Sequence, residues 1–158
     1  MPTSSATIRR AHADDAEIIE SLIERYVASG TLLPRSVEFI AERASDFLVA
    51  TIDGRVVGCV HLEEYSPSLA EVRSLVVEPA FQGRGIGAAL VRALEELAIV
   101  REFPIVFAVS NNEAFFLSQG YAPRDIPELD RERSAISRFK GVYAKQVGNR
   151  EGVRSSMS

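Results

Sequence analysis

Gln82-Gly83-Arg84-Gly85-Ile86-Gly87 lie between a strand-like run, Val72 to Val77, and a helix-like run, Ile86 to Val100. A glycine-rich turn at such a junction leaves backbone N–H groups free at the positive end of a helix dipole, which is a site for phosphate. Glycine suits it because the backbone must come close to an anion, and a Cβ would obstruct the approach. Spacing then chooses among phosphate folds. A P-loop needs Gly, four residues, then Gly-Lys-Ser/Thr, and no Gly-Lys pair occurs in this chain. A dinucleotide fingerprint needs Gly-x-Gly-x-x-Gly near the start of a βαβ unit. Here Gly83, Gly85 and Gly87 are evenly spaced and sit mid-chain.

The remaining residues bound what this turn can belong to. A length of 158 residues is that of one domain. Hydrophobic content of 46% and charged content of 25% are those of an ordinary soluble globule. A net charge of −4 argues against nucleic acid as the main partner. It leaves an anionic cofactor open, because local N–H groups and Arg84 dominate at the turn. No run of 18 apolar residues is present, so no membrane span is expected. Met1 to Thr7 lacks the basic and apolar regions of a signal peptide. Cys59 is the only cysteine, which excludes an intramolecular disulfide and fits a reducing, cytoplasmic location. With only His12 and His61 beside it, no metal site is expected.

Periodicity supplies the elements that must position the turn. Ala6 to Arg9 reads as a first strand. Asp14 and Glu17 read as a capping box for a helix with Ile18, Leu22 and Tyr26 on its apolar face, Ile19 and Ile23 beside them, and Gly30 at its end. Ser36 caps a second helix through Ala44. Phe47 to Ile52 and Arg55 to Tyr65 are the arms of a hairpin turned at Asp53-Gly54, with Gly58 as a bulge. Ala70 to Val77 is the next strand. The helix after the turn buries Ile86, Leu90, Ala93, Leu94 and Leu97. Pro104 opens a strand, Ile105 to Val109. Asn112 caps a helix to Gln119, stopped by Gly120. Tyr121 to Val147 holds one or two strands around a charged stretch, Glu128 to Arg133. Gly148 to Ser158 reads as a disordered tail. The element order is β-α-α-β-β-β-α-β-α-β, which implies the α/β class.

Read as Gln/Arg-x-x-Gly-x-Gly/Ala, the residues Gln82, Gly85 and Gly87 resemble the acyl-CoA pyrophosphate loop of the GNAT family, the Gcn5-related N-acetyltransferases. Leu75-Val76-Val77-Glu78-Pro79 is similar to the family's lead-in. Phe115 to Tyr121 is similar to its late helix, which ends in Gly-Phe. The resemblance spans residues 6 to 147. It implies a central mixed sheet with helices on both faces, in which strands Ala70–Val77 and Pro104–Val109 splay apart around the pantetheine arm. It implies acetyl-CoA as donor and a small amine as acceptor, with no nucleic acid or membrane partner and a homodimer left open. The residues it places on the donor are Leu75, Val76, Val77, Gln82, Gly83, Arg84, Gly85, Ile86, Gly87, Ala88 and Phe116.

Acetyl transfer to an amine requires a deprotonated amine, a polarised thioester carbonyl and a leaving thiolate. Glu71 occupies the place where the family often has its general base, with Glu63 and Glu64 as alternatives. Alternation along the strand groups it with Arg73, Leu75 and Val77. A solvent-facing ion pair with Arg73 is the competing reading. Polarisation falls to backbone N–H groups near Val76 and Val77. Many family members have a Tyr acid four residues before the late Gly. Here that position is Phe116, which cannot donate a proton, so the proton comes from water, from another residue such as Ser110 or Tyr121, or from no assigned acid at all. Cys59 is expected to be a buried strand residue, and His12 and His61 structural or surface groups.

Leu32-Leu33-Pro34-Arg35-Ser36, Glu71-x-Arg73-Ser74-Leu75 and Phe115-Phe116 together resemble the acetyltransferase domain of stand-alone N-acetylglutamate synthases. That likeness implies glutamate as acceptor and a place in arginine biosynthesis. It puts Leu33, Arg35, Arg73 and Ser74 on the acceptor, with Arg35 holding a carboxylate. The alternative has Arg35 merely preceding an N-cap and facing solvent. Arg133, Arg138 and Lys140 all compete for a late basic position of the same subfamily. Other acceptors, or a non-catalytic CoA sensor, are the alternative functions.

Overall fold

The computed structural model describes residues 5–27, 32–127 and 141–148. Gly30, the stretch from Glu128 to Arg133, the basic residues Arg133, Arg138 and Lys140, and the tail beyond Gly148 lie outside the described residues.

Among the described residues seven strands form one mixed sheet in the order β1-β2-β3-β4-β5-β7-β6. They are β1 (Thr7–Arg10), β2 (Phe47–Ile52), β3 (Arg55–Ser66), β4 (Leu69–Val77), β5 (Ile105–Ser110), β6 (Ala122–Pro123) and β7 (Gly141–Gln146). The helices are α1 (Ala16–Val27), α2 (Val37–Glu42), α3 (Ile86–Val100) and α4 (Glu113–Ser118). Contacts group the chain into two compact units, Met1–Glu63 with Arg73–Leu94 and Glu64–Val72 with Glu95–Ser158.

In the first unit, α1 and α2 pack on one side of β2 and β3. Ile19, Leu22, Ile23, Ile40, Phe47, Val49 and Cys59 form its core. The buried stripe of α1 is shifted from expectation, since Ile18 is 42% exposed and Ala16 takes an inward place instead. The cap moves too. His12 N donates to Asp15 Oδ2 at 2.7 Å, and a 3₁₀ turn over Ala13–Asp15 precedes the helix. Asp15 is also held by Arg9 at 2.8 Å, an ion pair that lowers its carboxyl below the usual range. Ser36 caps α2 as expected, accepting from Phe39 N at 3.0 Å.

The hairpin turn has positive φ at both Asp53 and Gly54, the type I′ pattern that matches strand twist. Between β2 and β3 the register shifts after Ala50↔Gly58 to Thr51↔Val56, so Val57 is the extra residue of a bulge. Its carbonyl accepts from Glu78 N at 2.8 Å and thereby fixes the exit from β4. Gly58 sits in a crowded place: a Cβ there would lie 3.0 Å from Val76 O and 3.2 Å from Leu90 Cδ1. Adjacent residues of a strand face opposite ways. Cys59 therefore faces the core shared with α1 and α2, while Gly58 admits α3 on the other face.

In the second unit, β5 and β7 pair antiparallel from Ile105↔Gln146 to Ser110↔Gly141. The start of β4 pairs in parallel with β5 at Leu69↔Ile105, Ala70↔Val106 and Glu71↔Phe107. Leu69, Phe107, Ile126 and Ala144 form the core. Helix α4 ends at Gly120, φ +91°, with Tyr121 N donating to Phe116 O and Gly120 N to Leu117 O, a Schellman closure. A buried polar knot secures this end. Tyr121 Oη donates to Glu95 Oε2 at 2.9 Å, and Lys145 Nζ reaches Glu95 Oε1 at 3.1 Å.

Candidate active site

The glycine-rich turn is built by three devices in the first unit. Gln82 Nε2 donates to Val77 O at 3.0 Å and to Tyr26 Oη at 3.3 Å, tying the turn to the end of β4 and to α1. Gly83 and Gly85 take φ of +81° and +80°. A Cβ built on either would meet nothing within 4 Å, so the backbone there faces open space from which an anion can approach. The first internal bond of α3 runs from Ala89 N to Gly85 O. The N–H groups of Ile86, Gly87 and Ala88 precede it and have no carbonyl within the helix to receive them. No acid stands in that first turn, and Arg84 lies 5.1 Å over the Phe81 ring beside it. Donors, dipole, glycine backbone and a nearby guanidinium suit a pyrophosphate.

Gly85→Val is therefore expected to act twice. It forces a β-branched residue into the left-handed region, costing about 1–2 kcal/mol, and it places a side chain in the path of an approaching anion. Calorimetric titration with CoA should show a loss of affinity well beyond what the fall in melting temperature implies. Unchanged affinity in a folded variant would mean that the phosphates bind elsewhere.

The expected acceptor residues form a charged cluster in the same unit. Arg35 Nη2 is 3.4 Å and Arg73 Nη1 is 3.5 Å from one oxygen, Glu63 Oε1. Their side chains are 16% and 14% exposed, so the solvent-facing reading of Arg35 does not hold. Arg35 also lies 4.9 Å over Phe39. His61 is buried, stacked on Phe47 at 4.2 Å, with Nδ1 3.9 Å from the same Glu63 oxygen. Burial, and then the guanidiniums of Arg35, Arg73 and Arg43, push its pKa down to about 3, so it is neutral at pH 7. From the sequence alone His61 is a structural or surface group with no partner named for it. The signal was available, because positions 61 and 63 of one strand share a face. Leu33 is 52% exposed.

Glu71 is buried, 3% exposed, and stands opposite Phe107 in register, which excludes the solvent-facing ion pair. The alternation expected to run from Glu71 through Arg73 to Val77 is broken at Ser74. Its φ of +53° puts a left-handed residue in mid-strand. Ser74 O accepts from Cys59 Sγ at 3.4 Å, and Val76 turns into the core. Leu75 and Val77 are half-buried. Burial pushes the Cys59 thiol up to about 12, so it stays protonated and is no nucleophile.

Phe116 belongs to an aromatic cluster of the second unit, 5.0 Å from Phe115, 5.2 Å from Tyr121 and 6.3 Å from Tyr143. Ser110 Oγ accepts from Asn112 N at 2.9 Å and keeps its own proton to give. Tyr121 is a poor acid, since burial and Glu95 push its pKa up. Tyr121→Phe should therefore cost about 1.5–3 kcal/mol of stability, as for a hydrogen bond to a charged group, while kcat stays within about threefold. Thermal melts and steady-state rates check both halves; a fall in kcat of a hundredfold would make Tyr121 the acid.

The model of the acetyltransferase (GNAT) domain matches residues 43–123. An uncharacterized N-acetyltransferase of Chlorobaculum tepidum is 39% identical over 121 residues, 77% of this chain and 78% of the relative. The amino-acid acetyltransferase of Mycobacterium tuberculosis is 33% identical over 117 residues, 72% of this chain and 67% of that protein. The N-acetylglutamate synthase of Neisseria gonorrhoeae, solved with coenzyme A and N-acetyl-glutamate, superposes with a TM-score of 0.80 at 26% identity. It covers 92% of this chain, which spans 36% of the synthase. The chain belongs to the GNAT acetyltransferase family and is an acetyl-CoA-dependent N-acetyltransferase. Among the described residues no helix is long and apolar enough to cross a membrane.

Proposed function

We propose that this protein acetylates the α-amine of a small amino acid, with L-glutamate as the preferred acceptor, and serves arginine biosynthesis in the cytoplasm. One observation carries the reading: two largely buried guanidiniums, Arg35 and Arg73, converge within 3.5 Å of a single carboxylate oxygen. Such a pair suits an acceptor that brings a carboxylate of its own. A cationic acceptor would call for the opposite charge. The amino-acid acetyltransferase relatives and the synthase that carries N-acetyl-glutamate support the same class.

Each residue then has a task. The N–H groups of Ile86, Gly87 and Ala88, with Gly83, Arg84 and Gly85, hold the pyrophosphate, and Gln82 keeps the turn in shape. Leu75, Val76 and Val77 offer the strand backbone to the pantetheine arm and the thioester oxygen. Phe116 supplies an apolar wall. Bound acetyl-CoA supplies an activated acyl carbonyl. Glu71 takes the proton that the acceptor's ammonium must lose before its nitrogen can attack, directly or through a water. Ser110 or a water returns a proton to the departing sulfur. Leu33 and Ser74 border the acceptor.

Incubation with acetyl-CoA and L-glutamate should yield N-acetylglutamate and CoA in equal amounts, read by mass spectrometry. Turnover of other amines with none of glutamate would reject the glutamate assignment and leave the acetyltransferase.

A further inference from the structure

We propose that Glu63 is a specificity residue of the acceptor site, holding the acceptor's ammonium while Arg35 and Arg73 hold its carboxylate. The site then takes a zwitterion and releases its N-acetylated form. This rests on the reading of Arg35 and Arg73 as carboxylate holders.

The geometry is that of a loose, shared carboxylate. Charge-assisted N–H···O bonds settle near 2.7–2.9 Å. Glu63 Oε1 stands at 3.4 Å from Arg35 and 3.5 Å from Arg73, so neither fork clamps it. Its side chain is 33% exposed, about twice the exposure of either arginine. Positive charge thus lies inside and negative charge at the outer edge. His61 Nδ1 faces the same oxygen at 3.9 Å and has no hydrogen-bond partner among the described residues. Being neutral at pH 7, it adds no charge of its own beside Glu63.

An α-amino acid carries the complementary pattern, a carboxylate next to an ammonium. Two arginines alone would accept any carboxylate. A third, negative group beside them repels a bare carboxylate unless the ligand brings its own cation, which is selection by an unfavourable contact. Acetylation turns the ammonium into a neutral amide. Glu63 then loses its partner and faces the product's carboxylate across a short gap. Substrate is favoured and product disfavoured by the same side chain.

Glu63→Gln separates this role from a structural one, because it moves substrate and product in opposite directions. With L-glutamate as acceptor, KM should rise about five- to twentyfold, the loss of one partly exposed charge pair. Competitive inhibition by N-acetylglutamate and by glutarate, which lacks the amine, should strengthen about three- to tenfold as the repulsion is removed. Glu63→Asp, which keeps the charge on a shorter arm, should lie between Gln and the wild type, and it replaces Gln if that variant does not fold. Three values that move together, or do not move, overturn the role of Glu63. Arg35→Ala measured alongside keeps the two readings apart. A raised acceptor KM in that variant leaves the carboxylate reading standing, whatever Glu63 does. An unchanged KM, or a wild type that ignores L-glutamate, rejects the carboxylate reading itself.

Discussion

Glu71→Gln is expected to cut kcat/KM by about 10²–10⁴-fold, the range for removing a general base, and to leave acetyl-CoA affinity unchanged. The substitution keeps the side chain's shape and removes its ability to take a proton. Glu71 is 3% exposed and sits on the strand that leads to Arg73 and the glycine-rich turn, and Gln, of nearly the same size, leaves no cavity there. The deficit should shrink as pH rises, because more of the amine is then already neutral. Steady-state rates from pH 6 to pH 10 measure both effects. A variant as fast as wild type at neutral pH would move the base elsewhere, to Glu64 on the preceding strand or to water.

Arg35→Ala should raise KM for a carboxylate acceptor about ten- to a hundredfold, the equivalent of losing a charge-assisted pair worth about 1.5–3 kcal/mol, while KM for acetyl-CoA barely moves. Ser36 and the first turn of α2 fix the backbone next to it, and Phe39 supports its guanidinium at 4.9 Å. Arg35→Lys should recover only part of the loss. Lysine brings the charge without the planar fork, and it stacks less well on a ring. An unchanged acceptor KM in Arg35→Ala would remove the amino-acid assignment.

Local chemistry made much of this legible. Asp53-Gly54 demands a turn with two positive φ angles, and one is present. The hydrophobic stripe of α3 and its glycine-rich start mark the turn proposed to hold the donor, because there the backbone itself would be the functional group. Gly120 marks the end of α4 for the same reason. Other features leave no such trace. Helix α3 closes through Glu102 in the left-handed region, φ +68°, with Phe103 N bonded to Ala98 O, and no glycine advertises it. The break at Ser74 in β4 is likewise carried by a residue of ordinary appearance. It matters more, since a simple count of alternation across it assigns the wrong faces to Leu75 and Val77. The first helix was displaced because Asp15, not Asp14, caps its lead-in through Arg9 and His12, contacts between segments that only the fold brings together. Glu63 was readable as an acid and His61 as a lone histidine. Their meeting with Arg35, 28 residues away from Glu63, belongs to tertiary structure.

The most direct test of the acceptor assignment is the initial rate of CoA thiol release from acetyl-CoA with a panel of amines at equal concentration. The panel holds L-glutamate, L-glutamine, a neutral amino acid, a polyamine and a peptide with a free N-terminus. The highest kcat/KM is expected for L-glutamate and a near-background rate for the polyamine. A polyamine or peptide preferred over every amino acid would contradict that assignment, as would tight CoA binding without thiol release in the presence of any acceptor.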